Sequence, residues 1–153
     1  MDIEKNLEFS QQKEIYLEFT QQLLRCSKNF EQEISHRFRK YFNQSFTRFD
    51  LLSQLDKGES DWQAIGKVAN QLLASNGNIT KLVERMVAED LLERRSNLKD
   101  RRMTEISMSP KGKQLYREMA DAHADWTQSL MDRRLPETEV HQLNSLLSKA
   151  NAN

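Results

Sequence analysis

Ser75-Asn76-Gly77-Asn78-Ile79-Thr80-Lys81-Leu82-Val83-Glu84-Arg85-Met86-Val87 is a short polar turn that runs directly into an apolar stripe. Ile79, Leu82, Val83, Met86 and Val87 fall at i, i+3, i+4, i+7 and i+8, one face of a helix, and the Ser, Asn and Gly ahead of them are residues that cap a helix start. A short helix is expected just upstream, begun by Ser60 and Asp61, with Trp62, Ile65 and Ala69 on its buried face and Val68 beside them. Two helices joined by a short polar turn are the elements of a helix-turn-helix.

Downstream of Asp90 the period changes. Leu92–Ser96 and Thr104–Met108 read as two strands, the second alternating Ile106 and Met108 with polar neighbours, and Asn97-Leu98-Lys99-Asp100-Arg101-Arg102 forms a basic tip between them. A lone hairpin is only marginally stable, so it must lean on the helices before it. Ser109 then caps another helix with Pro110 at its first position; Leu115, Met119, Ala122, Trp126 and Leu130 form its stripe. Pro136 opens a last helix carrying Val140, Leu143, Leu146 and Leu147.

Upstream, Ser45 precedes a helix with Phe46, Phe49, Leu52 and Leu55 on one face, closed by Lys57-Gly58. Before it, from about Lys13 to Phe42, Ile15, Phe19, Leu23, Cys26, Phe30, Ile34, Phe38 and Tyr41 recur every three or four residues without Gly or Pro. A helix of that length spans about 45 Å, more than a domain of this size covers by itself, which points to a partner chain; a long core helix inside a monomer shows the same pattern.

The 153 residues fit one domain, mainly α: a winged helix-turn-helix lobe at about 45–109 with a two-stranded wing, flanked by helices at about 11–42 and 110–150. Charged residues make up 30% and mean hydropathy is −0.81, the profile of helices with wet faces. No apolar run approaches a membrane span, and Met1-Asp2-Ile3-Glu4-Lys5 lacks the features of a signal peptide, so a cytoplasmic protein without a membrane partner is expected. The single cysteine, Cys26, cannot make an internal disulfide. The 23 basic and 23 acidic residues cancel overall, yet Ser75–Arg117 holds ten basic against six acidic residues, concentrating positive charge on the turn, helix and hairpin.

That distribution suits double-stranded DNA. Amide, hydroxyl and basic side chains at a helix start can read base edges in the major groove, and Ser75, Asn76, Asn78, Thr80 and Lys81, with Arg85 further along, are such residues. Gly77 lets the backbone approach a phosphate at the positive end of the helix. Arg101 and Arg102 suit the minor groove, and Arg94, Arg95 and Lys99 suit phosphates. Asp100 reads as a local partner for Arg94 or Arg102 that fixes the tip. Taken alone, the Ser, Asn and Gly are better read as capping and turn residues, and arginines on exposed hairpins are often only solvated; the basic hairpin immediately downstream favours DNA.

From about Ser45 to Met119 the chain resembles the MarR family of winged-helix regulators, through Ser75–Met86 and through Asp100-Arg101-Arg102 leading into Ile106-Ser107-Met108-Ser109-Pro110-Lys111-Gly112. The family usually has Gly where Asp90 stands; Asp tolerates the left-handed conformation such a turn requires. The resemblance implies a homodimer built from the first and last helices, two recognition helices in successive major grooves of a pseudo-palindromic operator, wing arginines in the flanking minor grooves, and repression of transcription.

Arg48-Phe49-Asp50-Leu51-Leu52, with Ser75–Asn78, is similar to the branch that controls breakdown of hydroxycinnamates and related aromatic acids. The implied effector is a small aromatic anion or its coenzyme A thioester, with Arg25 holding the carboxylate and Phe30, Phe49, Trp62 and Ile65 offering an apolar wall. Aromatic residues at helical spacing also serve as plain core. A redox sensor of the same fold would use Cys26, but the sensing position aligns near Gln21, so Cys26 is expected to be a core thiol. A helical scaffold protein accounts for the long helices but not for the basic hairpin. No enzyme, cofactor or metal site is expected: His36, His123 and His141 are scattered, and no glycine-rich phosphate loop is present.

Overall fold

The computed structural model describes the backbone of residues 2–74 and 77–152, with side chains from Glu8 onward. It comprises two compact units, Met1–Phe46 and Thr47–Asn153.

The first unit is one helix, α1 (Asp2–Phe42), which begins well ahead of the apolar stripe. Its first turns are rich in Glu, Gln and Lys, good helix formers that carry no periodic apolar signal. Local pairs support it: Lys13 Nζ lies 4.3 Å from the centroid of the Phe9 ring, and Arg37 Nε donates to Glu33 at 2.8 Å. Ile34 and Phe38 are buried, whereas Ile15, Phe19, Leu23 and Cys26 are exposed. Cys26 is therefore a surface thiol of the chain, not the core thiol its place in the stripe suggests. Asn43 ends the helix with φ 53, a left-handed conformation Asn tolerates.

In the second unit α2 (Phe46–Lys57) starts and stops where the sequence predicts, and Phe49, Asp50, Leu51, Leu52, Ser53 and Leu55 are all buried. The next helix starts later than expected. Ser60 and Asp61 precede a two-residue strand, β1 (Gln63–Ala64), and only then does α3 (Ile65–Gln71) begin. Pairing with a distant strand overrides the local cap signal. The buried Gln63 amide donates to Leu55 O at 3.0 Å and to Ser60 O at 3.2 Å, closing the connection. Gly58 makes room for it, since a Cβ there would stand 1.9 Å from Gln63 Nε2.

Helix α4 (Ile79–Ala88) is capped by Asn78, whose side-chain oxygen accepts from Lys81 N at 3.1 Å. Its far end is a Schellman motif: Leu91 N donates to Met86 O at 2.9 Å and Asp90 N to Val87 O at 3.0 Å, with Asp90 at φ 61 in the left-handed region. Strands β2 (Leu92–Ser96) and β3 (Thr104–Met108) have the predicted bounds. The sheet, however, has three strands in the order β1-β3-β2, all antiparallel, with Gln63 opposite Ile106 and Arg95 opposite Glu105. The core joins Leu51, Leu52 and Leu55 of α2, Val68 of α3, Val83 and Met86 of α4, and Leu92, Ile106 and Met108 of the sheet.

Ser109 caps α5 (Pro110–Met131) as the sequence predicts, accepting from Gly112 N at 2.9 Å while its hydroxyl donates to Asp90 O at 2.5 Å. One residue thus ties the end of α4 to the start of α5. A Cβ at Gly112 would stand 2.0 Å from Leu91 O, so this close approach requires glycine. The last helix, α6 (Glu137–Asn151), follows Pro136 and has no buried residue among those described. No helix among the described residues is long and apolar enough to cross a membrane.

Candidate nucleic-acid interface

Two residues of α2 act on the candidate recognition helix α4 and its approach: Arg48 holds its far end, and Asp50 holds the backbone ahead of the turn that precedes it. Successive helical positions point about 100° apart, so Arg48, Phe49 and Asp50 reach three different elements. Asp50, 2% exposed, accepts from Leu73 N at 2.5 Å and Ala74 N at 2.8 Å, fixing the backbone that leads into the turn before α4. Arg48 holds the opposite end through a two-pronged pair with Glu89, at 2.5 and 2.8 Å. Hydrogen bonding from that guanidinium keeps the Glu89 carboxyl below the usual carboxylate range, with the charges of Arg48, Lys111 and Arg85 acting in the same sense against slight burial. Lys111 Nζ also donates to Glu89 O at 2.8 Å.

On α4 itself Thr80, Lys81 and Arg85 are exposed, as are Gly77 and Asn78 just before it. Asn78 spends its carbonyl oxygen on the cap, which does not use its NH2. Ser75 and Asn76 lie outside the described residues. Because α4 passes into β2 through Glu89–Leu91 alone, the helix and the hairpin share one rigid junction.

The hairpin is more ordered than its composition suggests. Asp100 does fix the tip, but through backbone: its carboxylate accepts from Arg102 N at 3.0 Å. Arg94, Lys99, Arg101 and Arg102 are exposed, and among the described residues they form no ion pair. Arg95 differs. Its guanidinium lies 4.2 Å from the centroid of the Trp62 ring, and its Nε donates to Glu105 at 2.9 Å. It is engaged within the sheet rather than held out towards a phosphate.

The five residues read as ligand contacts are placed in different surroundings. Arg25 is exposed on α1 and Phe30 is half-buried there. Phe49 stacks on Tyr116 of α5 at 5.9 Å between centroids and meets the His123 ring at 5.0 Å. Trp62 carries Arg95, and Ile65 packs against the core. A cavity of about 330 Å³ lies elsewhere in the second unit, lined by Leu55, Asp56, Asp61, Met108, Lys113 and Tyr116 among others, and none of the five lines it. Burial lowers the His123 pKa and raises that of Tyr116. Among the described residues no group of three His, Cys, Asp or Glu side chains is placed to hold a metal ion.

Sequence reasoning missed Asp50, Asn97 and Glu105. The available signal at Asp50 was an acidic residue inside the apolar run Phe49–Leu52, since a carboxylate is rarely buried without partners.

No protein-family model and no curated protein sequence matches the chain. Its fold does match solved structures. A MarR-family transcriptional regulator from Silicibacter pomeroyi aligns with a TM-score of 0.78 at 17% identity, over 91% of this chain and 94% of that one. BpsR from Bordetella bronchiseptica, described with regulation of its DNA binding by 6-hydroxynicotinic acid, gives 0.72 at 23% identity, over 87% and 98%. A cysteine-to-serine mutant of MarR from E. coli, complexed with operator DNA, gives 0.73 at 18% identity, over 86% and 92%. The fold is thus the winged helix-turn-helix fold seen in MarR-type regulators, with long helices at both ends.

Proposed function

We propose that the chain is a homodimeric, DNA-binding transcriptional regulator of the MarR family that represses from a pseudo-palindromic operator. The observation that carries this reading is the helix α4, held at its far end by Arg48 and running directly into an ordered hairpin whose Arg94, Arg101 and Arg102 are exposed and form no ion pair among the described residues. Lys81 and Thr80 reach base edges, Arg85 and Arg94 meet phosphates, and Arg101 and Arg102 enter the minor groove. The likeness of fold to a protein crystallised on its operator supports the same placement. Selection from random duplex DNA tests it: a symmetric motif with half-sites about one turn apart, roughly 10 base pairs, is expected. Recovery of no symmetric motif returns the chain to the scaffold reading.

The effector belongs to the same proposal. A small aromatic carboxylate or its coenzyme A thioester lowers DNA affinity, with Arg25 binding the anionic end. Support comes from the Arg48–Leu52 and Ser75–Asn78 wording and from the hydroxynicotinic acid response of BpsR, a fold relative. A ligand shifts DNA affinity only by binding one state better than the other, and a coupling of about 5 to 150-fold is the usual scale. Titration of hydroxycinnamates, benzoates and their thioesters against an operator complex, with the wild type and Arg25→Ala, measures it. Release that the variant shows equally leaves Arg25 without a ligand role; no release by any aromatic anion removes the effector class while the DNA-binding reading stands.

A further inference from the structure

A continuous line of contacts runs from the turn before β1 across the outer end of the hairpin's strands to its tip. The Trp62 ring, in that turn, lies by the Arg95 guanidinium of β2 at 4.2 Å. Arg95 Nε donates to one oxygen of Glu105, on the central strand β3, at 2.9 Å. The other oxygen of Glu105 accepts from Asn97 Nδ2 at 2.8 Å. Asn97 Oδ1 in turn accepts from Lys99 N at 2.8 Å and Asp100 N at 3.0 Å, and Asp100 accepts from Arg102 N. Backbone bonds close the loop, Asn97 N to Met103 O at 2.8 Å and Met103 N to Asp100 O at 3.0 Å. Both ends of the Asn97 amide are therefore used, one facing the sheet and one facing the tip.

We propose that Asn97, Glu105, Arg95 and Trp62 are positioning residues that hold Arg101 and Arg102 in a DNA-ready arrangement before any duplex is met. This rests on the DNA-binding reading and assigns Arg95 a different part in it: it sets the tip rather than touching phosphate. A hairpin tip without such a brace would be ordered only on binding, at the expense of affinity, because fixing each backbone residue is entropically unfavourable. Half of the brace lies on two adjacent strands, Arg95 directly opposite Glu105, and Asn97 follows β2 at once, so the register of the sheet transmits to the tip.

The polarity of the Asn97–Glu105 bond supplies the test. Asn97→Asp keeps the oxygen that accepts from Lys99 N and Asp100 N but replaces the donor to Glu105 with a second negative charge. Glu105→Gln added to it restores a donor–acceptor pair with the direction reversed, and leaves an oxygen for Arg95. Affinity is measured on a duplex recovered by selection, as a function of salt, for the wild type, Asn97→Asp and the double variant, with amide hydrogen exchange of the 97–103 segment and thermal unfolding alongside. Asn97→Asp is expected to bind about tenfold more weakly, with a salt slope lower by about one or two because Arg101 and Arg102 no longer bring their charges into the groove and release counterions there. It should also show faster exchange at the tip. The double variant should recover all three, which a general loss of stability would not. Equal affinity, slope and exchange in Asn97→Asp, or failure of the double variant to recover while folded, overturns the brace alone. A wild type that binds no duplex overturns the DNA-binding reading and this role with it.

Discussion

A carboxylate inside a hydrophobic core is tolerated only when its oxygens find donors, and Asp50 finds them without a cation: Oδ2 accepts from two backbone N–H groups and Oδ1 from the Gln54 amide at 3.4 Å. Removing the carboxylate strands two buried or part-buried backbone amides and leaves a cavity behind. Asp50→Ala is therefore expected to destabilise the fold by about 2–4 kcal/mol, read by urea unfolding, and Asp50→Asn by less, since one oxygen remains. A variant within about 0.5 kcal/mol of wild type would show that the anchor at Leu73 and Ala74 is idle. Asp90 poses the converse case. Its side chain does little that is visible, but its backbone at φ 61 closes the Schellman motif and receives the Ser109 hydroxyl. Asp90→Gly should stabilise by up to about 1 kcal/mol, and Asp90→Val should destabilise by about 1–2 kcal/mol, because a β-branched residue resists the left-handed region. Loss of stability in the glycine variant would mean that the Asp carboxylate has a role of its own.

Elements whose signals are local are legible in the chain, and elements that depend on distant partners are not. The stripe from Ile79 to Val87, the Ser109-Pro110 start and the alternation at Ile106 and Met108 place α4, α5 and β3 because cap, periodicity and turn act within a few residues. Strand β1 escapes such reading, since two residues become a strand only through β3, more than forty positions away. The start of α1 escapes it too, because a solvated helix needs no apolar period. At the site, the exposed bases of α4 and the tip follow from residue type, whereas the inward turn of Arg95 follows from register and from Trp62. Packing of α2 on α5 has a measurable consequence at this scale. Burial holds the His123 pKa below its ordinary 6.5, so between the two values the unfolded chain binds more protons than the folded one. Stability is then full above pH 6.5 and declines as pH falls below it. Glu89, held below its ordinary 4.5 by Arg48, adds a second decline that sets in only under that pH. Unfolding followed between about pH 7.5 and 5.5 should show a slope that His123→Gln abolishes and Arg48→Met leaves in place. A slope that persists in His123→Gln would assign it to another group.

For the molecule as a whole, the apolar surface is more than a lone chain needs. Ile15, Phe19 and Leu24 on α1, at 63, 49 and 71% exposure, and Leu143 and Leu146 on α6, at 43 and 62%, lie open on helices that the resemblance assigns to dimerisation. Burying a large apolar side chain contributes about 1.5–3 kcal/mol, and a two-fold interface buries each such residue twice, so a few of them suffice for a stable pair. Because these side chains make no demand on the fold of the single chain, charged replacements separate assembly from folding. Leu143→Asp with Leu146→Asp, and separately Ile15→Asp with Phe19→Asp, should leave helix content and the wing's hydrogen exchange unchanged while converting the dimer to a monomer in sedimentation at micromolar concentration. DNA binding should follow assembly. Two half-sites held on one dimer act at an effective concentration in the millimolar range, so losing the link lowers operator affinity by about 10²- to 10⁴-fold. Under the proposed function, binding to duplex of unrelated sequence rests on phosphate contacts made by each lobe and should fall far less. Variants that stay dimeric would move the interface off these helices. Wild-type protein that sediments as a monomer and still selects a symmetric operator would require the two lobes to meet only on DNA.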